Sequence, residues 1–207
     1  MKIKINSSLL SLVLVVVALL LLANCSTSPP KNMNNSCAIF KEKSGWYEDT
    51  SASFKRWGVP IHVQLAIVHQ ESHFVHDAQT EMEYFLWIIP IGRKSSAYGY
   101  AQAQDATWRN YMKASGNSGA DRDDFTDAVD FIGWYVTETH KILKISKWDT
   151  YNQYLAYHEG QGGFKRKTYR KKPWLIKVAK KVKKNASRYA AQLKKCEANL
   201  KSNGWFW

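Results

Sequence analysis

The chain is short of acids, with 17 Asp and Glu against 30 Lys and Arg in 207 residues, a formal net charge of +13. From Lys165 to Lys195 it has fourteen cations and no acid at all. Such an imbalance points to an anionic partner, whether nucleic acid, a membrane surface or an acidic wall polymer. Cysteine is scarce as well: there are three, and no two are spaced C-x-x-C. That removes a zinc deaminase, although "HQE" at 69–71 has the H-x-E half of its signature. No internal repeat is present, which leaves out solenoids and propellers. The only long apolar run, Leu9 to Ala23, is shorter than the ~20 residues a spanning helix needs. Apolar residues are not lacking, since a 45% hydrophobic share and nine tryptophans are ample for one packed domain and exclude a disordered chain.

The N-terminus pairs a basic "MKIK" with "LLSLVLVVVALLLLA" and reads as an export signal over residues 1–24, a retained anchor helix being the competing reading. "LLANC" at 21–25 resembles a bacterial lipobox, with Asn24 where Gly, Ala or Ser is usual. The resemblance implies that Cys25 carries lipid and tethers the chain to a membrane, and Ser26 is compatible with the outer membrane, facing the periplasm. Export disfavours nucleic acid as the partner of the basic charge. "STSPPKNMNNS" reads as a flexible tether over 25–36, ahead of a domain over 37–200 and an aromatic tail over 201–207. With Cys25 lipidated, Cys37 and Cys196 remain. Either they form a disulfide, which an oxidising compartment permits and which would add roughly 4 to 5 kcal/mol by closing a long loop, or they are separate thiols, Cys196 lying on an apolar helix face. The disulfide is the favoured expectation.

Periodicity predicts a mainly α fold. Val63, Leu65, Ala66, Ile67 and Val68 after Pro60 form a core helix that closes around Glu71 to Phe74. "DRDDFTDAVDFIGWYVTETHKIL" has acids in its first turn and an apolar stripe through Phe125, Val129, Ile132 and Val136, so it reads as a helix and not as a calcium loop. "YNQYLAYHEG" is a third helix, stopped by Gly160 and the Gly162–Gly163 pair. A fourth begins near Pro173 and runs along Leu175, Ala179, Val182, Ala186, Tyr189, Leu193 and Cys196. "TEMEYFLWIIPIGRKSSA" at 80–97 lacks a helical period and reads as a loop or short β-hairpin over a cleft.

Glu71 stands between His69 and His73 at the end of an apolar stretch. A metal site would use the two imidazoles four residues apart, but the order H-x-E-x-H is not the H-E-x-x-H of metalloproteases, so no metal and no cofactor are expected. Burial and the adverse helix dipole would instead raise the pKa of Glu71, and the flanking histidines are expected to set its protonation state.

Three separated pieces then combine: "ES" at 71–72, "AYGYAQAQDATW" at 97–108 and "LAYHEGQGG" at 155–163. In order and spacing they resemble the lytic transglycosylases (SLT domain) of the goose-type lysozyme superfamily, over roughly residues 45–170. The resemblance implies a lysozyme-like α domain with Glu71 as the single catalytic acid and base and Ser72 contacting substrate beside it. It places Gly99 and Gln102 on the Gly-x-x-Gln positions that hold the sugar, and Tyr157 near the catalytic carboxyl. Tyr100 and His158 are further substrate-binding candidates, Tyr100–Ala101 replacing the usual Leu-Met and His158 the usual Asn.

The implied substrate is the peptidoglycan glycan strand, cut at the MurNAc–GlcNAc β-1,4 bond with formation of 1,6-anhydro-MurNAc. A muramidase using water on the same fold and a non-catalytic wall-binding lipoprotein are the competing readings. Gln104 is weighed evenly between a functional and a merely structural role, Glu159 is expected to be exposed, and Trp87 and Trp108 are read as core residues able to stack on sugars. The basic helix is expected to meet anionic lipid or wall polymer.

Overall fold

The computed structural model describes residues 28–86 and 88–203. The expected signal segment, the lipidation site Cys25, Trp87 and the "GWFW" end lie outside them. Seven α-helices and one two-stranded ribbon follow in order: α1 (Ser36–Glu42), α2 (Trp46–Trp57), α3 (Ile61–Glu71), β1 (Met82–Phe85), β2 (Ile89–Arg93), α4 (Asp105–Ser115), α5 (Phe125–Leu143), α6 (Thr150–Lys165) and α7 (Pro173–Asn203). A 3₁₀ turn, Thr168–Lys171, joins the last two helices. Among the described residues no helix is long and apolar enough to cross a membrane.

Helix α3 is the axis of the core. Val63, Leu65, Ala66, Ile67 and Val68 are fully buried on every side, because α7 packs against one face and α5 and α2 against others. A helix apolar all round belongs in an interior, which is why its sequence shows no amphipathic stripe. The two amphipathic helices enclose it: α5 is capped by Asp124, whose carboxylate accepts from Asp127 N, and α7 lays its stripe from Leu175 to Leu193 on α3 and α6. Helix α2 reaches α5 closely because Gly133 has no side chain there; a Cβ would stand 2.5 Å from the Trp57 ring. Trp46 stacks on Phe125 at 3.7 Å and also meets Phe74 and Tyr100.

Two sequence boundaries move. Helix α6 runs on to Lys165, but Gly160 has φ 69 and ψ 159, so the chain breaks direction there before resuming a short helix. Packing also begins upstream of Cys37: Pro30 is buried, Ser36 is fully buried, and Arg188 donates to Asn34 at 2.7 Å. The latter half of the expected tether is thus part of the domain, docked on α7. Cys37 and Cys196 are bonded to each other and fasten α1 to the same helix. The interval 82–93 is an antiparallel hairpin, with Met82 opposite Arg93 and a bulge between Glu83 and Tyr84.

Candidate active site

Helix α3 ends at Glu71, where the last backbone carbonyls of the helix disfavour a negative charge. The Glu71 side chain lines a cleft of about 450 Å³ whose other walls include Gln102, Gln104, Phe131, Tyr135, Tyr157, His158 and Glu159. Its Oε1 is shielded from solvent and meets no hydrogen-bond partner. Burial therefore pushes the Glu71 carboxyl up to about 7, and a hydrogen bond from Tyr154 only partly opposes the rise. At neutral pH this group exists in both protonation states, as a proton donor that must later accept one requires.

The flanking imidazoles are not responsible. The Nδ1 of His69 lies 2.5 Å from the Tyr189 hydroxyl on α7, which in turn donates to Met33 O. Burial lowers the His69 pKa to about 4, so the ring is neutral and structural. His73 packs edge-on against His69 at 5.7 Å. Burial and Tyr154 move Glu71, which corrects the expectation that the histidines do so.

Of the predicted site residues, Gln102, Tyr157 and His158 line the cleft with Glu71. The Tyr157 hydroxyl donates to Ala101 O at 2.6 Å, so the "AYHEG" helix is tied directly to the "GYAQ" loop. Gln102 takes a positive φ of 48 and donates through Nε2 to Ala78 O and Gly99 O, at 2.7 and 3.0 Å, which fixes its loop. Gly99 serves that loop from behind: φ is 76, its N–H donates to Ala78 O at 2.9 Å, and a Cβ would fall 2.0 Å from Arg122 O. Ser72 and Tyr100 do not line the cavity. Ser72 is buried, with Oγ donating to Val68 O at 3.2 Å, and Tyr100 is 3% exposed, set edge-on against the stacked Trp46 and Phe125.

Glu159 departs most from its expected exposure. Its side chain is 4% exposed and accepts from Lys172 at 2.7 Å and from Thr168, with the His158 ring at 3.0 Å. Burial would raise its pKa, but the hydrogen bonds from Lys172, Thr168 and His158 outweigh this and hold it near 2. It stays ionised and has no proton to give. His158 also meets Trp174 edge-on at 5.2 Å, so the motif histidine is braced from α7.

The sequence reading passed over three aromatic residues. Phe131 and Tyr135 stand four apart on α5 and form one wall, Tyr135 meeting Tyr157 at 5.0 Å. Tyr154, one turn before Tyr157 on α6, supplies the hydroxyl bonded to Glu71. Their helical spacing was visible, but it is the spacing of core residues too. Trp108 packs on Tyr111 and Phe131 in the core.

No curated protein matches the chain. Residues 12–196 match a family described as transglycosylase SLT domain, which takes in the whole cleft and every helix that builds it. On that coverage the chain belongs to the transglycosylase SLT domain family, with a lysozyme-like, mainly helical fold and a lytic transglycosylase family role on peptidoglycan.

Proposed function

We propose that the protein cleaves the MurNAc–GlcNAc β-1,4 bond of peptidoglycan by intramolecular transglycosylation, with Glu71 as the one catalytic group. The observation that carries this reading is the Glu71 carboxyl, lifted to about 7 inside the cleft beside a second carboxylate that is locked as an anion. Most glycosidases divide acid and base or nucleophile between two free carboxyl groups. Here Lys172, Thr168 and His158 engage Glu159, so Glu71 must serve both steps.

Neutral Glu71 donates its proton to the glycosidic oxygen as the bond from that oxygen to C1 of MurNAc breaks. The acetamido oxygen of the same sugar supports the cationic centre. The Glu71 carboxylate then removes the proton of the C6 hydroxyl, whose oxygen closes on C1 to give the 1,6-anhydro product. The proton returns to the carboxyl and no water is consumed. Gln102 and His158 would meet the sugar's polar groups, and Phe131 and Tyr135 its apolar face. Gly99, Ser72 and Tyr100 would act from behind by holding the loop and helix end that carry those groups.

Purified protein and Glu71→Gln, each incubated with peptidoglycan sacculi, test the reading by mass spectrometry of the released muropeptides. Anhydro ends, one water lighter than reducing ends, support it when the variant loses ~10²–10⁴-fold in rate. Reducing ends would make the protein a muramidase, and equal release by both forms would remove Glu71 from the chemistry.

The same proposal places the protein in the bacterial cell envelope, anchored through lipid on Cys25. Its support is the sequence at 21–25 together with the peptidoglycan role of the family. Incorporation of labelled fatty acid that is lost in Cys25→Ala tests it.

A further inference from the structure

The hairpin between the Glu71 helix and the Gln102 loop exposes an apolar surface that no other described element covers. Tyr84, Leu86, Ile88, Ile89 and Ile91 are 53%, 66%, 78%, 52% and 64% exposed. The eight residues Tyr84 to Ile91 read "YFLWIIPI" and contain no charge. Scattered surface apolar residues need no explanation, but a contiguous patch of this kind marks an interaction site.

The form of the patch selects its occupant. Tyr84 is paired with Pro90 on one face of the ribbon, Ile89 and Ile91 point to the other, and β2 is exposed along its whole length. A protein groove or a glycan strand laid on one face would leave the other in water. A fluid apolar medium surrounds both. Charge is arranged to match, since the ions stand only at the foot of the hairpin. Lys94 pairs with Glu83 at 3.7 Å and Arg93 donates to Thr80 O, while the excess of cations falls elsewhere in the chain, fourteen of them between Lys165 and Lys195 with no acid.

We propose that the hairpin tip is a membrane-inserting finger, which enters the interfacial zone of an anionic bilayer and holds the cleft at the membrane surface. Depth is limited by the backbone. A two-stranded ribbon has unpaired N–H and C=O groups along both edges, and these exclude it from the hydrocarbon core. The strands span about 13 Å at ~3.3 Å per residue, enough for the tip to reach the roughly 5–10 Å at which water still serves those edges. The inference rests on the hairpin's exposure and the chain's charge, and not on the chemistry assigned to Glu71.

The test uses the full chain bound to vesicles of phosphatidylethanolamine and phosphatidylglycerol. An environment-sensitive fluorophore is placed at Ile88→Cys in a Cys25→Ser background, and a matched label at exposed Lys113→Cys serves as control. The label at 88 should shift to the blue and be quenched at least twofold by lipids brominated high on their acyl chains, with the label at 113 unchanged. The labelled protein should bind less tightly as salt is raised. Water-like emission at 88 on vesicles that hold the protein would overturn the proposal, as would a shift seen only with peptidoglycan sacculi. Because a fluorophore could itself seek lipid, Leu86→Ser/Ile88→Ser/Ile91→Ser is assayed unlabelled. At least a tenfold weaker vesicle affinity with unchanged turnover of dispersed glycan strands is expected, and unchanged affinity would equally overturn the proposal.

Discussion

Glu71 and Glu159 line one cleft, yet burial lifts the first carboxyl to about 7 while bonds from Lys172, Thr168 and His158 hold the second near 2. Environments that push two like groups apart assign their roles. Through most of the pH range only one of them can exchange a proton, and the other serves as a fixed anion that orders His158 and the 3₁₀ turn.

Among the described residues, the Tyr154 hydroxyl is the one group that favours ionised Glu71. Removing it in Tyr154→Phe leaves burial unopposed and raises the Glu71 pKa further. Activity that depends on the protonated acid therefore extends to higher pH in the variant, and the alkaline limb of the kcat/KM profile on sacculi moves up. Loss of one hydrogen bond of about 1 kcal/mol changes the rate below the limb by less than about tenfold. A limb that stays in place would mean that Tyr154 does not touch the ionisation.

The same shift has a consequence for stability. Glu71 has its pKa raised from the ordinary 4.5 to about 7, so between those values the folded chain binds more protons than the unfolded one. Stability is then fully present below pH 4.5 and declines as pH rises towards 7, by about 3 kcal/mol for this group. Glu71→Gln lacks the charge and escapes the decline. Its melting temperature should match wild type near pH 4.5 and exceed it at pH 8, and a constant difference across that range would contradict the buried, ionisable carboxyl.

What the sequence made legible follows from which forces are local. Helices α5 and α7 carry caps and apolar stripes that depend on neighbours three and four residues away, and Asp124 and Pro173 mark their starts. The three motif pieces around Glu71, Gly99 to Gln102 and Tyr157 place one wall of the cleft. Residues whose roles depend on distant partners were not legible. Glu159 follows His158 in an apparently exposed helix end, and only the turn that brings Lys172 back makes it buried. His69 looked like a neighbour of Glu71 along the chain, but two residues of helical rotation, about 200°, separate their directions and send the imidazole to Tyr189. Tyr100 sits within the Gly99–Gln102 motif, and the stack of Trp46 on Phe125 claims it for the core. The exposed hairpin had no helical period, and nothing local to it showed that both faces would lack cover.

Gly99 and Gly116 separate backbone strain from collision. Both have positive φ, 76 and 75, but a Cβ on Gly99 meets Arg122 O at 2.0 Å whereas one on Gly116 meets nothing within 4 Å. Gly116→Ala should cost only the conformational strain, about 1–2 kcal/mol. Gly99→Ala must also displace the Arg122 carbonyl, which accepts from Tyr100 N at 3.2 Å, and should cost about 2–4 kcal/mol and lower activity by loosening the Gln102 loop. Thermal melts of both variants check this, and equal losses would show that the loop yields without resistance.

The Cys37–Cys196 bond closes a separation of 159 residues, nearly the whole domain, and neither cysteine lines the cleft of Glu71 and Gln102. In the chain-entropy account a loop of that length adds about 4–5 kcal/mol by restricting the unfolded chain. The folded position of α7 does not depend on it alone, because Ser36 N donates to Gln192 Oε1 at 2.9 Å and Tyr189 bridges His69 and Met33. Cys37→Ala/Cys196→Ala should therefore melt many degrees lower while its kcat on sacculi at 25 °C stays within about twofold of wild type. Loss of activity in parallel with stability would show that the bond shapes the cleft; an unchanged melting temperature would show that the unfolded chain is compact enough without it.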